Sequence, residues 1–234
     1  MNLPVDDARA ASAICLLATL GCYALARWLY RRHRRAWLQP LLTAPLVLLA
    51  LLLLSGIDYS VYLHDTRWLM WMMGPATVAY AYPIYQRRAL LRRYPVSLAC
   101  GVLAGLLLGL LGSWLLAHLL GLPGTVARSV LTRSVSTPFA MAASGYFGGS
   151  PDITALCVLG TGVFGLLVGE TVHAWIGLRS TLSRGASLGA AAHAAGTAKA
   201  YELDPETGAV SSLTMVFAGI AMVLVAPWIG HWLG

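Results

Sequence analysis

Of the 234 residues in this chain, 58% are hydrophobic and only 11% charged; soluble domains carry roughly a quarter charged, so a soluble fold is excluded. The formal net charge of +7 does not argue for nucleic acid. The arginines gather in short connections between apolar runs (Arg27, Arg31, Arg32, Arg34 and Arg35 in one, Arg87, Arg88, Arg92 and Arg93 in another) rather than along one reading face. The uncharged runs 10–26, 38–57, 68–86, 94–127, 134–151, 153–169 and 207–234 are near or above the ~17–25 residues that cross the hydrocarbon core. They predict an all-α polytopic membrane protein, organised as one transmembrane domain over residues 1–234.

In chain order, a first span is expected over 10–30. Its leading residues Asp6, Asp7 and Arg9 have the wrong net sign for a signal peptide, so the helix is expected to be retained. A second span covers 38–57, followed by a polar connection, 58–67, holding His64 and Asp65. The third element, 68–86, contains Gly74-Pro75 and Tyr82-Pro83 and should not be a straight helix. The fourth, 94–121, repeats Gly101, Gly105 and Gly109 at four-residue spacing, a stripe suited to close helix packing. The fifth, 126–149, is broken around Pro138 and ends at Gly148-Gly149. Ser150-Pro151-Asp152 combines a cap, a first-turn proline and a carboxylate, and starts a sixth span over 151–178.

A Gly/Ala-rich seventh element, 185–200, is interrupted and too weakly apolar to face lipid, so it should be buried in protein. A polar turn at 202–206 then leads to the last span, 211–233. Arg179 and Arg184 form a third basic connection. Placing it in the cytoplasm with the other two requires 126–149 to enter and leave on one side, as a re-entrant hairpin. Cys15, Cys22, Cys100 and Cys157 lie in apolar runs without Cys-x-x-Cys spacing, which fits packing and not a disulfide framework or zinc site.

Three interruptions carry the polar chemistry. Arg133-Ser134-Val135-Ser136-Thr137-Pro138 puts a charge and three hydroxyls beside a proline. Thr137 as cap and Pro138 as first helical residue would aim a half-helix's free N–H groups at a cavity, a ready anion site, with Arg133, Ser134 and Ser136 adding donors. The alternative is a proline kink whose hydroxyls satisfy freed carbonyls. In the second interruption, Gly196 breaks the helix and Thr197 caps the next piece, with His193 and Lys199 nearby; Lys199 is the only lysine against fifteen arginines. His193 is either a core histidine or a functional one. In the third, Tyr80 and Tyr82 either hydrogen-bond a substrate or belong to the interfacial aromatic belt. Glu170 and His173 share a helix face and suit a hydrogen bond or proton relay; a di-iron site would need a second Glu-x-x-His and two further glutamates. No nucleophile elbow, phosphate loop or zinc-protease motif is present, so neither an enzyme, a cofactor nor an ATP-driven pump is expected.

Taken together, Arg-Ser-Val-Ser-Thr-Pro-x-Ala-Met at 133–141, Gly-Gly-x-Pro-x-Ile-Thr-Ala at 148–155, Arg-Gly-x-x-x-Gly-x-x-x-His-x-x-Gly-Thr-Ala-Lys at 184–199 and Ala-Tyr-Pro-Ile-Tyr at 81–85 resemble the LrgB/CidB family over nearly the whole chain. Arg133 stands where lysine is expected in most members, which keeps the charge but alters hydrogen-bond geometry. The resemblance implies a broken-helix transporter fold with inverted repeats, related in class to sodium/proton antiporters. It also implies a bacterial inner membrane location and a small LrgA/CidA-like membrane partner. Family members carry conflicting labels: antiholin-like effector of murein hydrolases, plastid carrier of glycolate and glycerate, and pyruvate-linked protein.

Two functions are therefore expected in competition. The interruptions hold cations and hydroxyls but no acid, which suits a carrier of small monocarboxylates, proton- or ion-coupled. Its substrate would meet Arg133, Ser134, Ser136, Thr137, His193, Gly196, Thr197, Lys199 and Tyr80, with His193, Glu170 or His173 carrying protons. The alternative is a holin- or antiholin-like regulator of murein hydrolases, acting as a homo-oligomer through the glycine stripe.

Overall fold

A computed structural model describes residues 5–33, 35, 38–79 and 81–233, with helices and turns and no strand among them. Contacts divide the chain into two units, Met1–Ala76 and Thr77–Gly234.

In the first unit, α1 (Val5–His33) packs against α2 (Pro40–Ser55) and α3 (Tyr59–Trp71). The expected polar connection at 58–67 is instead largely helical. Its polar side chains turn toward α1: the Ser12 hydroxyl donates to Asp65 Oδ2 at 2.7 Å, and Thr19 and Tyr62 share a hydrogen bond of 3.3 Å. Asp65, one of the polar residues that suggested a loop, is thus the partner of an α1 hydroxyl, and the exposed His64 pairs with Asp65 at 2.9 Å. α4 (Met73–Ala79) and α5 (Ala81–Gln86) replace a straight third span, as the prolines required.

The second unit contains α5, α6 (Arg88–Arg93) and three long helices: α7 (Pro95–Leu119), α10 (Pro151–Trp175) and α12 (Pro205–Leu233). Each of the three begins on a proline, where a missing N–H costs nothing. With α1 they are, among the described residues, the four helices long and apolar enough to cross a membrane. In α12, 67% of the most apolar stretch is buried, against 22% in α7 and in α10. α12 is therefore the central helix of this unit, and α7 and α10 carry exposed apolar side chains such as Leu107, Leu111 and Phe164, a surface suited to lipid. α12 starts at Pro205, six residues before the expected 211, because Asp204 caps it: its Oδ1 accepts the N–H groups of Glu206 (2.8 Å) and Thr207 (2.9 Å).

Between the long helices lie two hairpins. The first is α8 (Gly124–Leu131), an irregular tip at 132–136, and α9 (Thr137–Ser144) with a short 3-10 turn to Phe147. Gly149 returns to the level of Ser129: the Ser150 N–H donates to Ser129 Oγ at 2.8 Å and Thr154 Oγ1 to the Ser129 carbonyl at 3.1 Å. The segment enters and leaves at one end.

The second hairpin is α11 (Thr181–Leu203), two half-helices joined at His193, whose backbone is non-helical (φ 48, ψ −124). Gly185 and Gly189 of the outgoing arm oppose Thr207 and Ser211 of α12, while in the returning arm Thr197 reaches Met215 and Tyr201 lies against Gly208. One arm runs parallel to α12 and the other antiparallel, so the chain reverses at His193. The expected break at Gly196 is thereby corrected. Gly196 serves close approach rather than a turn, since a Cβ there would clash with the Leu188 carbonyl of the opposite arm.

Candidate anion site where two hairpin tips meet

The register along α10 brings the two tips together. Thr154 meets Ser129 at the base of the first hairpin, and Thr161, two turns on, meets Arg133 at its tip. From the other end, His173 meets Ser187, Gly169 meets Leu188, and Gly165 meets Ala192 beside the tip of the second hairpin. α7 gives the same order: Gly101 faces Ala186, Gly105 faces Ala190, and Gly109 faces Ser134. A Cβ on Gly105 would stand 2.6 Å from that of Ala190, so the glycine stripe is filled by the hairpins inside this unit. Two hairpins entering from opposite ends thus abut midway along the crossing helices.

The meeting point is polar and under-satisfied. Thr132, Ser134, Ser136 and His193 are all buried. Thr132 Oγ1, Arg133 Nε, Ser136 Oγ and both ring nitrogens of His193 lack a hydrogen-bond partner. Arg133 makes one long bond, Nη1 donating to Thr161 Oγ1 at 3.3 Å. The His193 ring lies against the Ser134 backbone and near the Arg133 guanidinium, without a hydrogen bond of acceptable geometry. Ser136, not Thr137, is the N-cap of α9, with an extended backbone and no side-chain capping bond. The cap lies one residue earlier than expected because Pro138 fits the first turn rather than only its first position, leaving Thr137 to open the helix. The Ser136 hydroxyl therefore stays uncommitted at the positive end of a half-helix. Buried polar atoms are ordinarily paired, and several unpaired ones in one place call for a polar occupant. Residues 124–147 and 181–201 contain no Asp or Glu, and Arg133 is the charged side chain at the meeting point, a donor set whose chemistry suits an anion.

The LrgB-like family pattern matches residues 19–232. The chain belongs to the LrgB-like family. It is 36% identical over 216 residues to the uncharacterized protein YwbG of Bacillus subtilis, covering 92% of this chain and 96% of that protein. It is 31% identical to the uncharacterized protein YxaC of the same organism, covering 93% and 96%. The holin-like protein CidB of Staphylococcus aureus is 29% identical, covering 92% and 93%. No solved structure matches the chain.

In this LrgB-like protein the remaining sequence candidates lie elsewhere. Thr197 Oγ1 shares a hydrogen bond of 2.9 Å with Ser211 Oγ, fixing the returning arm to α12. Lys199 Nζ pairs with Glu170 Oε2 at 3.2 Å and Glu202 Oε2 at 3.6 Å, toward the base of the second hairpin rather than its tip. Glu170 and His173 are not paired with each other; His173 Nε2 shares a 2.8 Å hydrogen bond with Ser187 Oγ. Tyr82 is exposed and accepts a hydrogen bond from Gln86 Nε2, consistent with the aromatic belt. Tyr80 lies outside the described residues. Sequence reasoning missed Thr132, fully buried with its hydroxyl unpartnered, and Thr161, which holds Arg133. Both precede or face Arg133 in otherwise apolar helix, and a search for hydroxyls within two turns of the intramembrane charge would have found Thr132.

Proposed function

We propose that this LrgB-like protein is a carrier of small monocarboxylates across the bacterial cytoplasmic membrane. The supporting observation is the set of unpartnered polar atoms on Thr132, Arg133, Ser136 and His193 where the two hairpin tips abut, with no carboxylate in residues 124–147 or 181–201. Arg133 balances the charge of the substrate, and Ser136 and the first amides of α9 hold its oxygens. We assign proton carriage to His193, whose two ring nitrogens lack partners beside Arg133. The basic connections put the ends holding Arg87–Arg93 and Arg179 in the cytoplasm. The test is purified protein in liposomes given pyruvate, lactate, glycolate or glycerate, with and without a pH gradient. Saturable uptake of at least one supports the reading; uptake no greater than in protein-free liposomes overturns it.

A second reading has support of its own, and the relatives' names favour it more directly. CidB relatives are called holin-like, which suggests a regulator of murein hydrolases that assembles, alone or with a small LrgA/CidA-like protein, and leaks. Such assembly needs a helix face free to pair, and the glycine stripe of α7 is already covered by Ala186, Ala190 and Ser134. Release of a trapped dye from the same liposomes supports this reading; intact dye retention counts against it.

A further inference from the structure

At the basic end of the second unit, α5, α6 and the first turn of α12 enclose a half-open cavity of about 460 Å³, lined by Gln86, Arg87, Arg93, Asp204, Glu206 and Ala209 among others. The sequence Arg88-Ala-Leu-Leu-Arg-Arg93 explains why α6 lies there. Leu90 and Leu91 pack onto the Leu98, Val210 and Leu213 cluster, and Arg87, Arg88, Arg92 and Arg93 remain exposed. Among the described residues none of these four arginines is in an ion pair. The Arg93 guanidinium lies over the Tyr94 ring at 5.2 Å, which restrains it without neutralising it. The two carboxylates of the cavity differ. Asp204 is committed to the α12 amides and the Thr207 hydroxyl, whereas Glu206 is in no ion pair among the described residues.

The cavity therefore offers two uncommitted guanidinium groups and one uncommitted carboxylate at the level where α7 and α12 begin their apolar runs. That is the level of phospholipid headgroups. Guanidinium forks match phosphate oxygens, and a carboxylate matches an ammonium. We propose that this cavity binds a phospholipid headgroup bearing both a phosphodiester and a primary amine, of the phosphatidylethanolamine kind. Arg87 and Arg93 hold the phosphate and Glu206 holds the amine. The inference does not depend on whether the hairpin tips hold a carboxylate.

Native mass spectrometry of the full-length protein in detergent, with added phosphatidylethanolamine, phosphatidylglycerol or phosphatidylcholine, tests it. The wild-type protein should retain phosphatidylethanolamine over phosphatidylcholine by about tenfold. Arg87→Gln/Arg93→Gln should lose that retention. Glu206→Gln should still bind phospholipid but should no longer prefer phosphatidylethanolamine to phosphatidylcholine. Arg88→Gln/Arg92→Gln removes the same charge outside the cavity and should bind like wild type; an equal loss there would reduce the effect to net charge and overturn the proposal. Wild-type-like retention by Arg87→Gln/Arg93→Gln would also overturn it. So would equal competition by inorganic phosphate or glycerophosphoethanolamine, which would make the cavity a site for soluble phosphate esters rather than a membrane lipid.

Discussion

His193 occupies a backbone region that residues with a Cβ rarely adopt (φ 48, ψ −124), and its ring nitrogens are buried without partners. Such a conformation costs of order 1–3 kcal/mol, so the fold alone favours glycine at this turn. His193→Gly should match or exceed the wild-type protein in thermal stability in detergent yet lose pH-gradient-driven uptake. His193→Gln, which keeps hydrogen bonding but not titration, should bind substrate and lose the same gradient dependence. Wild-type uptake and pH dependence in both variants would make His193 a core histidine. At Gly189 the opposite holds. A Cβ there would run into the Ser211 carbonyl of α12, so Gly189→Ala should destabilise by about 1–3 kcal/mol through overpacking, measurable as a lowered unfolding midpoint.

At the scale of elements, the two hairpins are held differently. The first is pinned at its base by Ser129, through bonds to Ser150 and Thr154. The returning arm of the second is tied to α10 by Lys199–Glu170, a pair with 24% and 42% side-chain exposure. Partly exposed pairs contribute little, typically below about 1 kcal/mol. Glu170→Gln should therefore leave the unfolding midpoint nearly unchanged while hydrogen exchange over 194–203 quickens. If exchange there is unaltered, the pair does not hold the arm.

The start of α12 should respond to acid. Bonds from the Thr207 hydroxyl and from the Thr207 and Glu206 amides hold the Asp204 carboxyl below its usual range. A lowered folded value means the contribution of this cap is present above the unfolded value, about 3.9, and is lost as pH falls through the folded one. Exchange of the 206–208 amides, relative to their intrinsic rates, should rise below about pH 4, and Asp204→Asn, which still caps, should remove that dependence.

Some of these elements were legible and some were not, for physical reasons. Ser150-Pro151 announced its helix because a hydroxyl cap followed by proline suits a first turn. Asp204-Pro205-Glu206 carries the same signal but, following Glu202, reads as a loop. The reversal at His193 was invisible, since nothing in a sequence marks a non-glycine residue at positive φ. Gly196 misled because a glycine needed for close approach looks like one needed for a turn. The Thr137-Pro138 signal placed the first tip to within one residue. Lys199 drew attention as the lone lysine, but its partner Glu170 lies in a separate helix, and no spacing rule joins them.

For the whole unit, the proposed carrier function rests on two broken hairpins entering from opposite ends and abutting with uncommitted donors. Membership of the LrgB-like family, with holin-like CidB proteins among its relatives, leaves carriage and leakage as the competing activities. Counterflow of a labelled small carboxylate in liposomes separates them, because only a carrier exchanges external label against an internal unlabelled pool. The account predicts transient accumulation of label with the wild-type protein, little with Arg133→Gln, and retention of a co-trapped dye in both. Dye loss with the wild-type protein, or equal counterflow with Arg133→Gln, would contradict it.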